Sequence, residues 1–330
     1  MQNISVVVPT FNRGALIADT LRSILAQSSP ADEVIVVDDG STDDTADVVG
    51  RFGDAVRYLR IPNSGVQVAR NTGIDAARHD RVALCDSDDL WEPDHLARQR
   101  ALIAAAPDLE FTFSNFRIFR GGDGGDVEPV AKFDRAPEGW WTGIVERRLP
   151  EGWLLRDSFV GASFVFFPIF PSATMLTKSL FDRAGRYDAG QRGNSVEDGE
   201  FTTRCLFRAR AGAVPDATVR IRKHAGNVSG DKVRVLADEV AALEHILRSF
   251  PEARPYRPII AEQIVRRSIQ GCHAAFAAGD YALLRRMIRN VPLRRRAPRL
   301  HAKHLIATLP DPVARRLGRA AESPAERRTA

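Results

Sequence analysis

Residues 81–96, RVALCDSDDLWEPDHL, place an apolar run directly before a dense group of carboxylates. The run RVAL has the composition of a buried strand, and Asp86, Asp88 and Asp89 follow it closely. Carboxylates this close repel one another unless a cation lies among them or water screens them. The stretch therefore predicts a buried strand that ends in either an exposed turn or a cation site.

The segments around this stretch alternate between strand and helix patterns. Strands are predicted at ISVVVPTF (4–11), EVIVVDDG (33–40), AVRYLRI (55–61) and DRVALCD (80–86). Helices are predicted at 13–27, after an N-cap at Ser41 or Thr42, and at 65–78. The order βαβαβαβ predicts an α/β fold with a mostly parallel central sheet and helices on both faces. Ligands bind such sheets outside the carboxyl ends of the strands, where this chain has PTFNR, DDGSTDD, NSG and DSDDLW.

Beyond about residue 110 the pattern is less regular. A strand is predicted at 110–119, a strand followed by a helix at 164–185, and a helix that is opened by Asn194 or Ser195 and extends to Gly212. From about residue 232 onward the signals are helical and end in a Pro/Arg-rich tail of the kind that is often disordered. We therefore expect two halves of one α/β domain, residues 1–110 and 111–231, and a basic helical extension at 232–330.

The composition indicates a globular, reduced protein. Hydrophobic residues make up 44% of the chain, and Cys85, Cys205 and Cys272 are too widely spaced for a disulfide framework or a zinc knuckle. No basic leader with an apolar segment precedes the first strand, and there is no long uncharged apolar window. These features predict a cytoplasmic protein that does not span a membrane. Cys85 and Cys205 are expected to be small core residues.

The net charge of +5 is unevenly distributed. Residues 251–330 contain 17 Lys and Arg against 6 Asp and Glu, which leaves the first 250 residues acidic. The segment LLRRMIRNVPLRRRAPRLHAKHL (283–305) fits either a helix on anionic lipid at the inner face of the plasma membrane or a solvated basic face, with Pro292 and Pro298 as interruptions. Nucleic acid is not expected as a partner, because no recognition motif accompanies the charge.

The usual nucleotide-binding fingerprints are missing. No G-x-G-x-x-G follows the first strand, and no G-x-x-x-x-G-K-[ST] occurs in the chain. The strand ends instead offer hydroxyl, amide, carboxylate and guanidinium groups, which can bind a base, a ribose and, through a metal, a diphosphate: Thr10, Asn12, Asp38, Asp39, Asn63, Arg70 and the Asp-Ser-Asp of residues 86–88.

Four of these segments resemble a known family. SVVVPTFNR, VIVVDDGSTDDT, NSGVQVARNTGI and ALCDSDDLWEPDHL, in this order, are similar to the family 2 glycosyltransferases, which have the GT-A nucleotide-sugar-binding fold. VEDGEFTTRCL (196–206) resembles the family's acceptor-side Glu-Asp motif, and IRKHAGNVSG (221–230) resembles its histidine segment. The resemblance covers roughly residues 1–230.

The resemblance implies a divalent cation, Mn²⁺ or Mg²⁺, that holds the diphosphate of a nucleotide-sugar donor. Asp86 and Asp88 flank Ser87, and alternate residues of an extended segment point the same way, so both can address one cation or one of them can bind ribose. His224 is expected to be either a further metal ligand or a phosphate contact.

The resemblance also implies how the nucleotide is bound. Asp39 accepts the N3–H of a uracil ring, and Thr10 frames the same base with the backbone around Asn12. The other residues expected to contact the nucleotide are Pro9, Asn63, Arg70, Asp86 and Ser87.

On the acceptor side, the resemblance implies that Asp198 is the general base of an inverting displacement at a glycan, lipid-linked or other hydroxyl. Glu197 is expected to orient the acceptor or a loop. The residues after this pair depart from the usual family pattern, so the resemblance does not predict how the acceptor is bound. For Asp198 the alternative is a carboxylate that caps its helix, and Asp43 and Asp44 are explained by a helix first turn.

Other interpretations of the chain remain open. A sugar nucleotidyltransferase would have a similar sheet, but PTFNRGALI lacks the glycine-rich basic loop of such enzymes. A binding module that holds a nucleotide sugar without turning it over is a second alternative. Trp140, Trp141 and Trp153 fit either a core or a surface for a sugar ring, and self-association of the chain is left open.

Overall fold

The computed structural model describes residues 3–120, 127–191, 196–224 and 231–321. They fall into two compact units, one within Met1–Gly193 and Glu197–Ala225, and the other within Gly226–Ala330 together with Asn194–Val196. The predicted helix cap at Asn194 or Ser195 and the last nine residues of the predicted tail lie outside the described residues. The subdivision at residue 110 stays a prediction.

The first unit is built on one mixed, mostly parallel sheet. Its strands are β1 (Ile4–Thr10), β2 (Glu33–Asp38), β3 (Arg57–Arg60), β4 (Arg81–Leu84), β5 (Leu90–Trp91), β6 (Phe111–Arg120), β7 (Val145–Leu149), β8 (Gly152–Leu155), β9 (Thr174–Thr177) and β10 (Ala211–Lys223). Their order is β3-β2-β1-β4-β9-β6-β10-β8-β7, with β5 paired to β10. Strands β1 to β4 are mutually parallel, as are β6 and β10, whereas β9 is antiparallel to both of its neighbours. The predicted fold class is confirmed.

The helices of this unit are α1 (Gly14–Leu25), α2 (Thr45–Gly50), α3 (Val66–Ala76), α4 (His95–Ala105), α5 (Trp140–Ile144), α6 (Ser158–Ser163), α7 (Lys178–Ala184) and α8 (Glu197–Leu206). In α1 the apolar residues at helical spacing, Ile17, Leu21 and Ile24, are buried against the sheet as their periodicity predicts. Burial of this face stabilises the helix more than its intrinsic propensity does. The crossover helices bring β1, β2 and β4 side by side, with their carboxyl ends at one edge.

The predicted start of α2 is wrong. The helix begins at Thr45, with Asp44 as its N-cap residue, rather than after Ser41 or Thr42. The Asp43 carboxylate accepts hydrogen bonds from the backbone of Gly14 and from the backbone of Thr45, both at 3.1 Å. Asp43 therefore accepts from the first residue of both α1 and α2, and it lies before the first turn of α2.

The long strand β10 is absent from the sequence prediction, which continues a helix to Gly212. Alanines and Pro215 give this stretch a weak strand signal. In the structure the register against β6 shifts between Val214 and Ala217, so Pro215 lies at an irregularity where no ladder hydrogen bond is required of it. Strand β10 ends directly before His224, which positions that side chain.

Aromatic residues form a cluster beside β6 and β8. Trp141 and Trp153 contact each other edge to face at a centroid distance of 5.0 Å, and Trp140 meets Trp141 at 4.6 Å. All three tryptophans are half-buried. Cys85 and Cys205 are fully buried, in agreement with their prediction as core residues.

The second unit consists of helices α9 (Lys232–Ser249), α10 (Arg257–Ala277), α11 (Tyr281–Met287), α12 (Pro298–Ala307) and α13 (Asp311–Ala321). Pro298 is in the first turn of α12, where a missing N–H costs nothing. Leu284, Met287, Ile288 and Leu300 lie in the core of this unit. None of the described helices combines the length and the apolar character that a bilayer crossing requires.

Candidate functional site

The loops after β1 and β2 are joined at the carboxyl edge of the sheet. Asn12 has a positive φ of 51°, its N–H donates to Ser41 Oγ at 2.9 Å, and its Oδ1 accepts from the Thr42 N–H at 2.8 Å. Asp38 is buried, and its carboxylate accepts from the Ser41 N–H and from the Tyr58 hydroxyl. Asp38 therefore stabilises the loop after β2.

Asp39 holds the loop before α3. Its two carboxylate oxygens accept from the N–H groups of Ser64 (2.6 Å) and Gly65 (2.8 Å). A carboxylate oxygen has two lone pairs, so Asp39 keeps acceptor capacity for a ligand. Gly40 has φ +78°, and a Cβ at this position would lie 2.9 Å from the backbone nitrogen of Asn63. The close approach at Gly40 thus brings the predicted residue Asn63 beside Asp39.

The end of β1 provides a buried hydroxyl with unused hydrogen-bonding capacity. Thr10 is the last residue of the strand, and its Oγ1 has no hydrogen-bond partner among the described residues. Pro9 is aligned with Val37 of β2 and is also buried. A buried hydroxyl without a partner costs free energy, which a bound polar ligand would recover.

The three carboxylates after β4 have three different environments. Asp86 Oδ1 accepts from Arg70 at 2.9 Å. Asp88 Oδ2 lies 2.9 Å from His224 Nε2 and 3.6 Å from Arg13 Nε. The expectation that residues 86–88 are extended is wrong, because the Asp89 N–H donates to the Asp86 carbonyl at 3.1 Å and closes a turn in which Ser87 is buried.

Asp89 is a structural residue. It is buried, and its carboxylate accepts from the Ser172 hydroxyl and from the Arg222 N–H. Burial, together with the charges of Asp88 and Asp86, raises the pKa of Asp89 well above its usual range. Asp89 therefore links the turn after β4 to β10 through the Arg222 N–H.

Asp88 and His224 are suited to hold one divalent cation. In an octahedral shell with bonds of about 2.1 Å, neighbouring ligand atoms are about 3 Å apart, and the oxygen and nitrogen here are 2.9 Å apart. The described residues contain no group of three or more His, Cys, Asp and Glu side chains placed to hold a metal. The protein would thus supply two ligands, and a bound diphosphate and water would supply the others.

Asp198 lies in the first turn of α8. Its Oδ1 accepts from the Gly199 N–H at 2.8 Å, and the side chain is half-buried. Burial, with the neighbouring charge of Glu197, raises the pKa of Asp198 to about 7, although Arg70 acts in the opposite direction. A carboxyl group with this pKa can take up and release a proton near neutral pH.

Helix α8 is held rigidly from its inner face. Glu200 and Arg204 form a buried bidentate pair with two N–H···O distances of 2.8 Å. Phe201 stacks on Tyr187 with ring centroids 4.0 Å apart. These contacts fix the position of Asp198, and the sequence contains no signal that identifies Tyr187.

Arg70 connects the two sides of the site. One terminal nitrogen donates to Asp86 at 2.9 Å and the other to Glu197 at 3.0 Å, and its guanidinium lies 5.3 Å from the centroid of the Tyr187 ring. The side chain is only 4% exposed. Arg70, predicted as a nucleotide contact, is therefore placed as a clamp between the carboxylate turn after β4 and the start of α8.

An open α/β sheet with a carboxylate turn and an acidic helix at the carboxyl edge of its strands is the arrangement of the GT-A type of glycosyltransferase fold. Residues 5–140 match the sequence model of the family described as Glycosyl transferase family 2. This part of the chain is similar to the family 2 glycosyltransferases, and the resemblance of the four motifs is confirmed.

Known proteins support this assignment. The chain is 35% identical over 139 residues to TuaG of Bacillus subtilis, named as a teichuronic acid biosynthesis glycosyltransferase, and the match covers 41% of this chain and 53% of that protein. The chain thus spans about half the length of that relative.

Two solved structures show the same fold. One is TarS 1–349 of S. aureus in complex with UDP-GlcNAc, with a TM-score of 0.64, 21% identity and coverage of 97% of this chain and 92% of that one. The other is the mannosyltransferase PcManGT of Pyrobaculum calidifontis in complex with GDP-Man and Mn²⁺, with a TM-score of 0.55, 18% identity and coverage of 97% and 88%.

Proposed function

We propose that this chain is a glycosyltransferase that moves a sugar from a nucleoside diphosphate to an acceptor hydroxyl, with inversion, in the biosynthesis of a bacterial cell-surface polysaccharide. The observation that carries the proposal is the Arg70 clamp, which joins Asp86 on the donor side to Glu197, the neighbour of Asp198. In a transferase, Asp198, whose pKa is about 7, can accept the proton of the acceptor hydroxyl beside the donor. A module that only binds a nucleotide sugar does not require such a group.

The nucleotide is proposed to bind across the ends of β1 and β2. Asp39 retains acceptor capacity for the N3–H of a uracil, and the unpartnered Thr10 Oγ1 lies at the end of the neighbouring strand. The two solved structures were obtained with different nucleotides, UDP-GlcNAc and GDP-Man, so the fold permits either base. Uridine is proposed because Asp39 and the motif around it resemble the uridine-binding members of the family.

The leaving group carries two negative charges on its diphosphate and needs a positive counterpart. Asp88 and His224 would hold a divalent cation, Mn²⁺ or Mg²⁺, which when bound neutralises charge on the diphosphate. Arg13, 3.6 Å from Asp88, adds a positive charge of the protein itself.

The reacting hydroxyl is proposed to lose its proton to Asp198. A bond forms between the acceptor oxygen and the anomeric carbon, the bond to the diphosphate oxygen breaks, and its electron pair leaves with the diphosphate. Because this is one in-line displacement, the configuration at the anomeric carbon inverts. Glu197 orients the site by holding Arg70, and the rigid α8 keeps Asp198 in place.

The first test is calorimetric titration with UDP, with and without Mn²⁺. Wild-type protein should bind UDP more tightly with the metal, and Asp88→Ala or His224→Ala should each weaken metal-dependent binding at least about tenfold, equivalent to 1.4 kcal/mol. Asp182→Ala, which alters an aspartate that is 65% exposed, is the matched control and should bind like the wild type. Metal-independent binding, or no loss in the two variants, would show that the cation site is wrong.

Turnover distinguishes the transferase from a binding module. Asp198→Asn should bind the donor with unchanged affinity and should release UDP from a UDP-sugar far more slowly than the wild type. If wild-type protein binds the donor and never releases the nucleotide product with any hydroxyl acceptor or water, the binding module is the correct interpretation.

A further inference from the structure

The C-terminal helical unit exposes apolar side chains that are separate from its own core. The sequence leaves two alternatives for residues 283–305, a helix on anionic lipid and a solvated basic face, and neither describes Leu284, Met287, Ile288 and Leu300, because these side chains fill the core. Other large apolar side chains of the same region are exposed: Leu293 (69%), Leu305 (65%), Leu309 (36%), Val313 (46%) and Leu317 (44%). We call residues 286–317, with these side chains, the arginine–leucine segment.

The helices of this segment are held together, so the exposed residues belong to an ordered surface. The side chain of Arg285 donates to the carbonyl of Ala307, and the Tyr281 hydroxyl donates to the carbonyl of Ala314 at 3.1 Å. Ala314 is fully buried, whereas Val313 and Leu317, one helical turn apart on α13, are both exposed. The exposed apolar side of α13 therefore differs from the side that packs on the unit.

The charge of the same segment is almost entirely positive. Residues 286–317 contain 9 Lys and Arg and one acidic residue, Asp311. Six arginines are exposed and form no ion pair with a carboxylate within the described part of the chain: Arg286, Arg289, Arg294, Arg299, Arg315 and Arg316. An unpaired cationic surface of this kind attracts a polyanion.

We propose that the arginine–leucine segment docks on the surface of an anionic phospholipid bilayer. Exposed aliphatic side chains among arginines match the boundary between headgroups and acyl chains, where both can be satisfied. Single-stranded nucleic acid is bound by aromatic side chains that stack on bases, and the exposed large side chains here are leucines and a valine. A second copy of the chain would place the same positive charges opposite one another. This proposal is independent of the proposed catalytic function.

The test is co-flotation of the full chain with vesicles of phosphatidylcholine alone and of phosphatidylcholine mixed with phosphatidylglycerol. The wild type should float only with the anionic vesicles, and less so at high salt. Arg315→Gln with Arg316→Gln should weaken binding roughly 25-fold, because each arginine near such a surface contributes about a fivefold gain. Leu305→Ser with Leu317→Ser should weaken binding at least about tenfold.

The matched controls are Leu25→Ser and Arg51→Gln, which change exposed residues of the first unit and should leave binding unchanged. Far-ultraviolet circular dichroism and thermal unfolding check that every variant folds, and the two double variants are independent, so either one decides the question. The proposal is overturned if the wild type ignores anionic vesicles or if the double variants bind like the controls. If duplex DNA displaces the protein from the vesicles and Leu305→Ser with Leu317→Ser has no effect, the surface binds nucleic acid instead. If the protein does not bind vesicles and its sedimentation depends on concentration, the surface binds a second copy of the chain.

Discussion

The pKa of Asp198 provides the sharpest test of the candidate site, and Glu197→Gln is the informative perturbation. In the wild type the pKa is about 7, so roughly a tenth of the molecules are ionised at pH 6 and roughly nine tenths at pH 8. The variant removes a neighbouring negative charge and also the carboxylate that shares Arg70. Both changes favour the ionised form of Asp198.

A positive charge within about 4 to 6 Å lowers the pKa of a carboxyl group by about 1 to 3. In the variant, Arg70 is such a charge, and Glu197 no longer neutralises it. In Glu197→Gln the pKa of Asp198 should therefore fall to about 6 or below, and about half of the molecules or more should be ionised at pH 6. Because Glu197 also orients the site, the maximal rate is expected to fall as well. The position of the pH profile, and not its height, is the diagnostic quantity.

Two measurements check this prediction. The ¹³C shift of the Asp198 carboxyl, assigned through Asp198→Asn, is followed as a function of pH, and the kcat/KM for release of UDP from a UDP-sugar is measured over the same range. Glu146→Gln, which changes an exposed carboxylate outside the site, is the control and should titrate like the wild type. A wild-type Asp198 that titrates near pH 4, or a variant in which its pKa rises, would refute the reasoning.

Three further outcomes follow from the structure. Burial raises the pKa of Asp198 in the folded state, so the free energy of unfolding of the wild type falls as pH rises from about 4 to 7. Asp198→Asn lacks this ionisation, so its melting temperature should exceed that of the wild type by a larger margin at pH 8 than at pH 5. Gly40→Ala should cost about 1 to 3 kcal/mol in denaturant unfolding, because its Cβ would strike the backbone of the loop before α3 at a positive φ, whereas Gly53→Ala, with a positive φ and open space, should cost about 1 kcal/mol. Arg204→Met breaks a buried ion pair and should cost about 3 to 5 kcal/mol, and Arg22→Met, 69% exposed, should cost less than about 1 kcal/mol. Equal losses in either matched pair would contradict the burial argument.

The parts of the fold that sequence patterns predict best are those with strong local signals. The runs of β1 and β2 are short, rich in β-branched residues and followed by turn residues, and the apolar face of α1 has helical spacing, so all three agree with the structure. Strand β10 is not predicted because Pro215 and the alanines of this strand give a weak strand signal. Pairing with β6 stabilises the strand in the structure. The start of α2 also involves a distant group, because the N-terminus of α1 donates to Asp43.

Within the site, the sequence likewise predicts where the carboxylates lie but not what surrounds them. Their position after a buried strand, and their order relative to the other motifs, can be recognised in the sequence. Their separate environments cannot, because these depend on Arg70, His224 and Ser172, which lie far away in the chain. The role of Arg70 as a clamp is likewise invisible in its motif.

By itself the sequence determined the alternation of strands and helices, the edge of the sheet at which polar groups gather, and the family to which residues 5–140 are related, because periodicity and motif order are local properties of the chain. Only the tertiary structure decided that Asp89 is turned into the core, that Asp88 meets His224, and that the exposed leucines of the C-terminal unit are not the ones near residue 285. Burial and pairing arise from contacts between segments that are distant in sequence, and the charge and apolar exposure that carry function are set by those contacts.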